Sequence, residues 1–370
     1  MKLICKKSDL LAGVNIVSKA VPSKTTMSIL ECILIDASEG VIKLIANDME
    51  LGIETKVEGE IIVAGRIAID AKIFSEIVRR LPDNDVMIEV DNDFTANITC
   101  ENAKFNILGK SGEDFAYLPE IEKNKSIKLS QFTLREVIRQ TIFSIGDDRN
   151  NKILTGELFE VKDNNLKVVA LDGHRIAIRN IALEDSYEDM SVIVPGKTLN
   201  EISKIVSGGT EDEMTIFFKD NHIMFEFDNT VVVSRLIEGE YYRVSQMVSK
   251  DYETKVRINK KEMLECLDRA TLLIKEGNKR PIIITIGDSD MQFKMNSFIG
   301  TMDETIYIKK EGKDMMIGFD PKFLIDALKV IEDEEIDIYL VNPKAPCCIR
   351  DEEEKYIYLI LPVNFTVANN

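Results

Sequence analysis

Three stretches of this sequence carry residue types that could do chemistry, and each has a plainer competing reading. PGKT at 195–198 ends like a phosphate-binding loop, in which backbone amides cradle phosphate oxygens and a lysine reaches the outer ones. That loop needs a glycine five positions before Gly196, and Ser191 stands there. DND at 91–93 and GDSD at 287–290 bring carboxylates together as calcium loops do. Neither has the glycine and distal glutamate that complete such a shell, so hairpin turns are expected. LDGHRIAI at 171–178 sets His174 and Arg175 behind an Asp-Gly turn, which suits either a binding loop or a merely satisfied histidine.

The remaining inventory narrows the choices. With two histidines, His174 and His222, imidazole acid–base chemistry has little to draw on. Cys5, Cys32, Cys100, Cys266, Cys347 and Cys348 form no C-x-x-C pair and read as buried reduced thiols. No Ser/His/Asp or Cys/His arrangement can be assembled, and neither a metal site nor a cofactor site is expected. The chain has 370 residues, 45% of them hydrophobic, and a formal charge of −17. That charge excludes a uniformly basic nucleic-acid coat but leaves room for a basic face. The start, MKLICKKSDLLAGV, meets charges too early for a signal-peptide core, and no apolar run is long enough to span a bilayer. A soluble, cytoplasmic protein is expected.

The elements that must position these residues come in threes. DAKIFSEIVRRL from Asp70, PGKTLNEISKIV from Pro195 and DPKFLIDALKVI from Asp320 start 125 residues apart. In this frame Lys72, Lys197 and Lys322 coincide, as do the acids Glu76, Glu201 and Asp326 and the bases Arg79, Lys204 and Lys329. Apolar spacing of three and four predicts a short amphipathic helix in each copy, with Asp70 and Asp320 as N-caps and Pro321 in a first turn. A second helix recurs from Ser8, Phe132 and Lys261. Alternating runs at 40–48, 165–173, 213–221, 222–229 and 353–361 predict antiparallel strands with one buried face. The acidic runs at 332–335 and 351–354 read as solvated loops, and SGG at 207–209 as a helix stop.

Polar linkers near 112–126 and 245–254 divide the chain into three α+β domains, 1–122, 123–249 and 250–370, each with two helices on sheet. Basic residues at the same two slots of three repeats put charge on one side of each domain. On an acidic protein this suggests a positively lined surface for a polyanion, against the alternative of ordinary helix-surface charge.

Along its whole length the chain resembles the β sliding clamps, the processivity subunits of bacterial replicative DNA polymerase. The resemblance is carried by GKSGEDFAYLP at 109–119, LTGELFE at 154–160, ALDGHRIA at 170–177, LIEGEYYRV at 236–244 and YLILPV at 358–363. It implies a head-to-tail homodimer, a ring of six domains with helices lining the hole and antiparallel sheets outside. The implied function is a non-enzymatic clamp that encircles duplex DNA without reading sequence and recruits other proteins. A partner ATPase would load it. DNA-facing residues would be the six slot bases together with Lys24, Arg149 and Lys152.

The resemblance also implies a groove that captures short motifs carrying a Gln and apolar anchors, from the replicative polymerase, the clamp loader and repair proteins. Its lining would be Leu154, Leu171, Gly173, His174, Arg175, Ile176, Tyr242 and Met247, joined by Phe323, Pro346, Leu359, Leu361, Pro362 and Val363. The stem of Arg175 would pack on the peptide. Tyr242, Gln246 and Leu171 depart from the residues frequent in the family, which are Pro, Arg and Thr. The chain also runs on to Asn370, and residues 366–370 are expected to cover part of the groove. For the ring interface the resemblance implies Leu272 and Leu273 packing on Phe105. Two rivals remain open: a peptide-binding adaptor that never encircles DNA, and a carbohydrate- or nucleotide-processing enzyme built on repeats.

Overall fold

The computed structural model describes residues 1–148, 150–275 and 280–365. Six α-helices fall where the repeat places them: α1 (Lys7–Val17), α2 (Ala71–Arg80), α3 (Gln131–Thr141), α4 (Gly196–Ile205), α5 (Lys260–Thr271) and α6 (Pro321–Val330). The Asp70 carboxylate caps α2 by accepting from Ile73 N at 2.8 Å, and Asp320 caps α6 by accepting from Lys322 N at 3.0 Å. Pro321 opens α6, where its missing N–H leaves no helical bond unmade. Each helix buries one stripe: Phe74 and Val78 of α2 and Leu324 and Leu328 of α6 are essentially inaccessible.

Among the described residues all strand pairings are antiparallel, in four sheets of five, nine, seven and four strands. The expected strands stand at Ile42–Asn47, Glu213–Lys219, His222–Phe227 and Tyr356–Ile360. DND and GDSD are hairpin turns: Asp91 Oδ1 accepts from Asp93 N and Thr95 N, and Gly287 N donates to Asp290 O. Gly208, at φ +77°, follows α4 in the left-handed conformation expected of SGG. The middle repeat departs from the expected short strands. One strand runs from Gly156 to Leu171 and its partner from Arg175 to Pro195, with register irregularities around Asp163 in place of a break. Local turn chemistry at DNN (163–165) gives way to pairing on both flanks.

The chain divides into two compact units. The first joins Met1–Arg135 to Lys197–Leu236, so it unites the first repeat with the later strands of the second. Its nine-stranded sheet is continuous because Leu51–Val57 pairs with Thr230–Arg235, from Thr55↔Thr230 to Leu51↔Ser234. The 112–126 segment is not the loose polar linker the sequence suggests, because it carries apolar residues that need cover. Phe115 is buried, Leu118 packs on apolar clusters to either side, and Tyr117 donates to Asp36 at 2.9 Å. A Cβ at Gly52 would collide with Leu118.

The second unit holds Glu136–Gly196 and the chain from Ile237 onward. Its seven-stranded sheet is continuous through Arg175–Arg179 paired with Tyr356–Ile360. All six cysteines are buried and free. Among the described residues there is no cluster of three potential metal ligands, and no helix is long and apolar enough to cross a membrane.

One core residue of the second unit contradicts its neighbours. Glu157 is fully buried and neither carboxyl oxygen has a hydrogen-bond partner, while the nearby Thr141 hydroxyl donates 2.7 Å to Val137 O. With no donor to stabilise its charge, burial pushes this carboxyl well above its ordinary 4.5. The folded chain therefore keeps a proton that the unfolded chain releases, so stability falls as pH rises from the ordinary carboxylate range through the raised folded value. Glu157→Leu removes this penalty. Its thermal midpoint should exceed that of the parent by more at pH 8 than at pH 5, at about 2–4 °C per kcal/mol recovered, as read by calorimetry across that range.

Candidate peptide groove and basic helix faces

The candidate groove residues all belong to the second unit, where strand pairing aligns Arg175 and Ile176 with Ile360 and Leu359. Leu171 ends one strand and Arg175 begins the next, and the turn between is held by Asp172 Oδ1. It accepts from His174 N at 2.9 Å and from Arg175 N at 3.1 Å. Gly173 sits at φ +88° with no atom within 4 Å of a would-be Cβ, so the backbone conformation, not crowding, asks for glycine. Leu361 N then donates to His174 O at 2.8 Å, extending the seam by one bond.

Leu171 and Leu359 form a buried floor with Leu158, Ile178, Val244 and Ile357, and half-buried Leu154 and Ile176 pack against it. Four of the expected lining residues, Tyr242, Met247, Leu361 and Val363, are more than two-fifths exposed. Tyr242 is held by its hydroxyl, which accepts from Asn151 Nδ2 at 2.9 Å. A buried apolar floor with an exposed apolar rim can take Leu- or Phe-like anchors, while backbone groups fix orientation. Tyr241, Val244 and Val248 also belong to this cluster and were not anticipated. The three-and-four spacing of Val244, Met247 and Val248 around the turn Val244–Gln246 was the available signal.

Phe323 packs against the third-repeat core and turns its ring to His174 (5.9 Å between centroids) and to the Arg175 guanidinium (4.7 Å). Pro346 is half-buried just before strand Cys347–Arg350. Pro362 is half-buried, Val363 N donates to Gly318 O at 2.8 Å, and Phe365 lies over Gly318. Residues 366–370 lie outside the described residues.

Arg175 is the most committed side chain in the site. Its Nε donates to Asp172 at 2.9 Å, Nη1 to Asp326 at 2.6 Å and Nη2 to Phe143 O, and it lies against the rings of Phe143 and Phe323. The side chain is only 9% exposed. An arginine this enclosed needs its charge matched, because stranding a buried charge costs about 3–5 kcal/mol.

The basic slots are all exposed, as are Lys24 and Lys152, while Arg149 lies outside the described residues. Their ion pairing differs by repeat. Arg79 pairs with Glu76 at 2.7 Å and Lys204 with Glu201 at 2.8 Å, each three residues back on its own helix, and Lys197 pairs with Asp48. Among the described residues Lys72, Lys322 and Lys329 have no ion pair. Exposed pairs are worth about 0–1 kcal/mol, so they exchange readily for phosphate. At the sheet edges, Phe105 is 39% exposed on strand Ala103–Leu108. Leu272 is 77% exposed, whereas Leu273 packs in part against the third-repeat core.

With this geometry in view, comparison with known proteins is direct. The descriptions DNA polymerase III beta subunit N-terminal, central and C-terminal domain match residues 1–119, 128–243 and 245–364. The beta sliding clamps of Staphylococcus epidermidis and Staphylococcus aureus are each 33% identical over 374 residues, covering 98% of this chain and 99% of theirs. A Eubacterium rectale structure described as a DNA polymerase III beta subunit is 66% identical with a TM-score of 0.97, and spans 99% of this chain and all of its own. The DNA polymerase sliding clamp of Bacillus subtilis is 33% identical with a TM-score of 0.96 over the same shares. The three-domain clamp fold accounts for both fused sheets and for the paired helices of each repeat, and this chain belongs to the DNA polymerase III beta subunit family.

Proposed function

We propose that this chain is a DNA sliding clamp that encircles duplex DNA as a head-to-tail dimer and tethers the replicative polymerase and other proteins through its groove. It is a non-catalytic processivity subunit. The observation that carries the reading is a junction used twice inside the chain. In the first unit Leu51–Val57, the strand that follows the Asp48–Glu50 turn, pairs antiparallel with the last strand of the second repeat. In the second unit Arg175–Arg179 pairs the same way with the last strand of the third repeat.

The matching strand of the third repeat is Thr301–Tyr307, and the first repeat's counterpart of Thr230–Arg235, after a hairpin turn of the same length, is Ala103–Leu108. Each is the edge of its sheet. A strand edge left with unpaired amides and carbonyls needs a partner or a guard. Carrying the register of the internal junctions over to these two strands sets Thr301 opposite Asn106, Met302 opposite Phe105 and Asp303 opposite Lys104. That pairing is apolar against apolar and acid against base. Leu272 is the exposed apolar neighbour such a junction would cover. Only a second copy can supply the partner strand head to tail, and two three-domain subunits close the circle.

A closed ring holds DNA by topology, so weak and exchangeable cations suffice. Tight phosphate contacts would act as a brake. The net charge of −17 keeps duplex from settling on other faces. Clamp loader and repair proteins would share the groove with the polymerase.

Three measurements test this reading. Sedimentation equilibrium should give twice 41.9 kDa, and Phe105→Asp should give the single-subunit mass with its fold intact by circular dichroism. Clamp loaded by its ATPase partner onto nicked circular duplex should stay bound through gel filtration and be lost when the circle is linearised. Equal retention on both templates would leave the adaptor reading. Leu361→Asp or Met247→Asp should weaken a Gln-Leu-Ala-Leu-Phe peptide at least tenfold in fluorescence anisotropy, with the dimer unchanged.

A further inference from the structure

The acid slot shared by the three repeats is used differently in the third. Glu76 and Glu201 each reach forward three residues to the base on their own helix. Asp326 has Lys329 at the same spacing, within reach on a helix face. It turns instead to Arg175, 151 residues away in sequence, at 2.6 Å. The physical reason is burial. Lys329 is exposed and water already satisfies it, so a pair there gains little. The Arg175 guanidinium is nearly enclosed between Phe143 and Phe323 and needs a second carboxylate besides Asp172.

Resting on the reading of the groove as a peptide site, we propose that Asp326 is a positioning residue for that groove. It touches no peptide itself. By fixing Nη1 of Arg175 it sets the plane of the guanidinium, on which the ring of Phe323 stacks, and Phe323 in turn meets His174 at the groove wall. The same diversion leaves Lys329 without an acid on its own helix, so α6 presents a freer cation than the matching slots of α2 and α4. One aspartate thus serves the protein-binding site while sharpening a DNA-facing charge.

The test uses the full chain and the Gln-Leu-Ala-Leu-Phe peptide in anisotropy titrations, with thermal midpoints recorded in parallel. Asp326→Asn should weaken the peptide about tenfold, in the range expected for losing a charge-assisted hydrogen bond. Asp326→Glu should restore part of that loss, and Glu201→Gln, at the matching slot, should change nothing. The double variant Arg175→Ala with Asp326→Asn should bind no worse than Arg175→Ala alone, because the aspartate acts only through the arginine. Asp326→Asn should lower the midpoint in either case, since Arg175 loses one of its two carboxylates. A merely structural role would add its effect on affinity to that of Arg175→Ala, which would overturn the proposal. So would unchanged affinity in Asp326→Asn. Failure of the parent protein to bind the peptide would instead bring down the groove reading itself, and is visible before any variant is compared.

Discussion

The interaction on which everything else depends is main-chain pairing across the seams between repeats. A repeat of about 120 residues built on sheets ends in strand edges, and an edge in water is a row of hydrogen-bond groups seeking partners. Here two of those edges are consumed within the chain, by Leu51–Val57 with Thr230–Arg235 and by Arg175–Arg179 with Tyr356–Ile360. The apolar floor around Leu171 and Leu359, the Asp172 turn and the Leu361–His174 bond are all built on the second seam. Because a one-residue slip would turn every inward side chain outward, the seams also fix which residues join the buried floor around Leu171 and Leu359.

Charge is arranged by a similar economy. The buried guanidinium of Arg175 has first claim on nearby carboxylates, and the exposed bases take what remains. Arg79 and Lys204 sit in weak exposed pairs on their own helices and Lys197 reaches the largely buried Asp48, while the bases of α6 have no ion pair among the described residues. The strongest electrostatic commitments hold the Arg175 cluster, and the loosest lie on the exposed helix faces.

Much of this was readable from local pattern. Asp70 and Asp320 announced helix starts, the 125-residue frame located three helices at once, and DND and GDSD read correctly as turns. These features depend on a few neighbouring residues. What the pattern did not show depends on residues far apart. TVVVSR at 230–235 reads as a strand, but nothing nearby says that its partner is Leu51–Val57. The pairing of Asp326 with Arg175 crosses 151 residues, and both look like surface charges in isolation. The 112–126 segment looked like a tether because its charges and proline outvote Phe115 and Leu118. Glu157 gives no sign in the sequence that it will be buried without a partner. Its alternation places it in a strand but not against a core.

The fusion of the first repeat with the later strands of the second has a consequence for how the chain is made. Thr55 and Thr230, 175 positions apart in sequence, hydrogen-bond through their hydroxyls at 2.9 Å. At about 5–20 residues per second, roughly 10–35 s pass between the emergence of one strand from the ribosome and its partner. During that time Leu51–Val57 is a completed but unpaired edge, and Gly52 has no neighbour across it. The first repeat can fold early, yet its sheet stays open on the nascent chain until most of the middle repeat has been synthesised. The interval in which this protein is most exposed to sticking to another copy of itself is therefore set by the order in which its strands are translated.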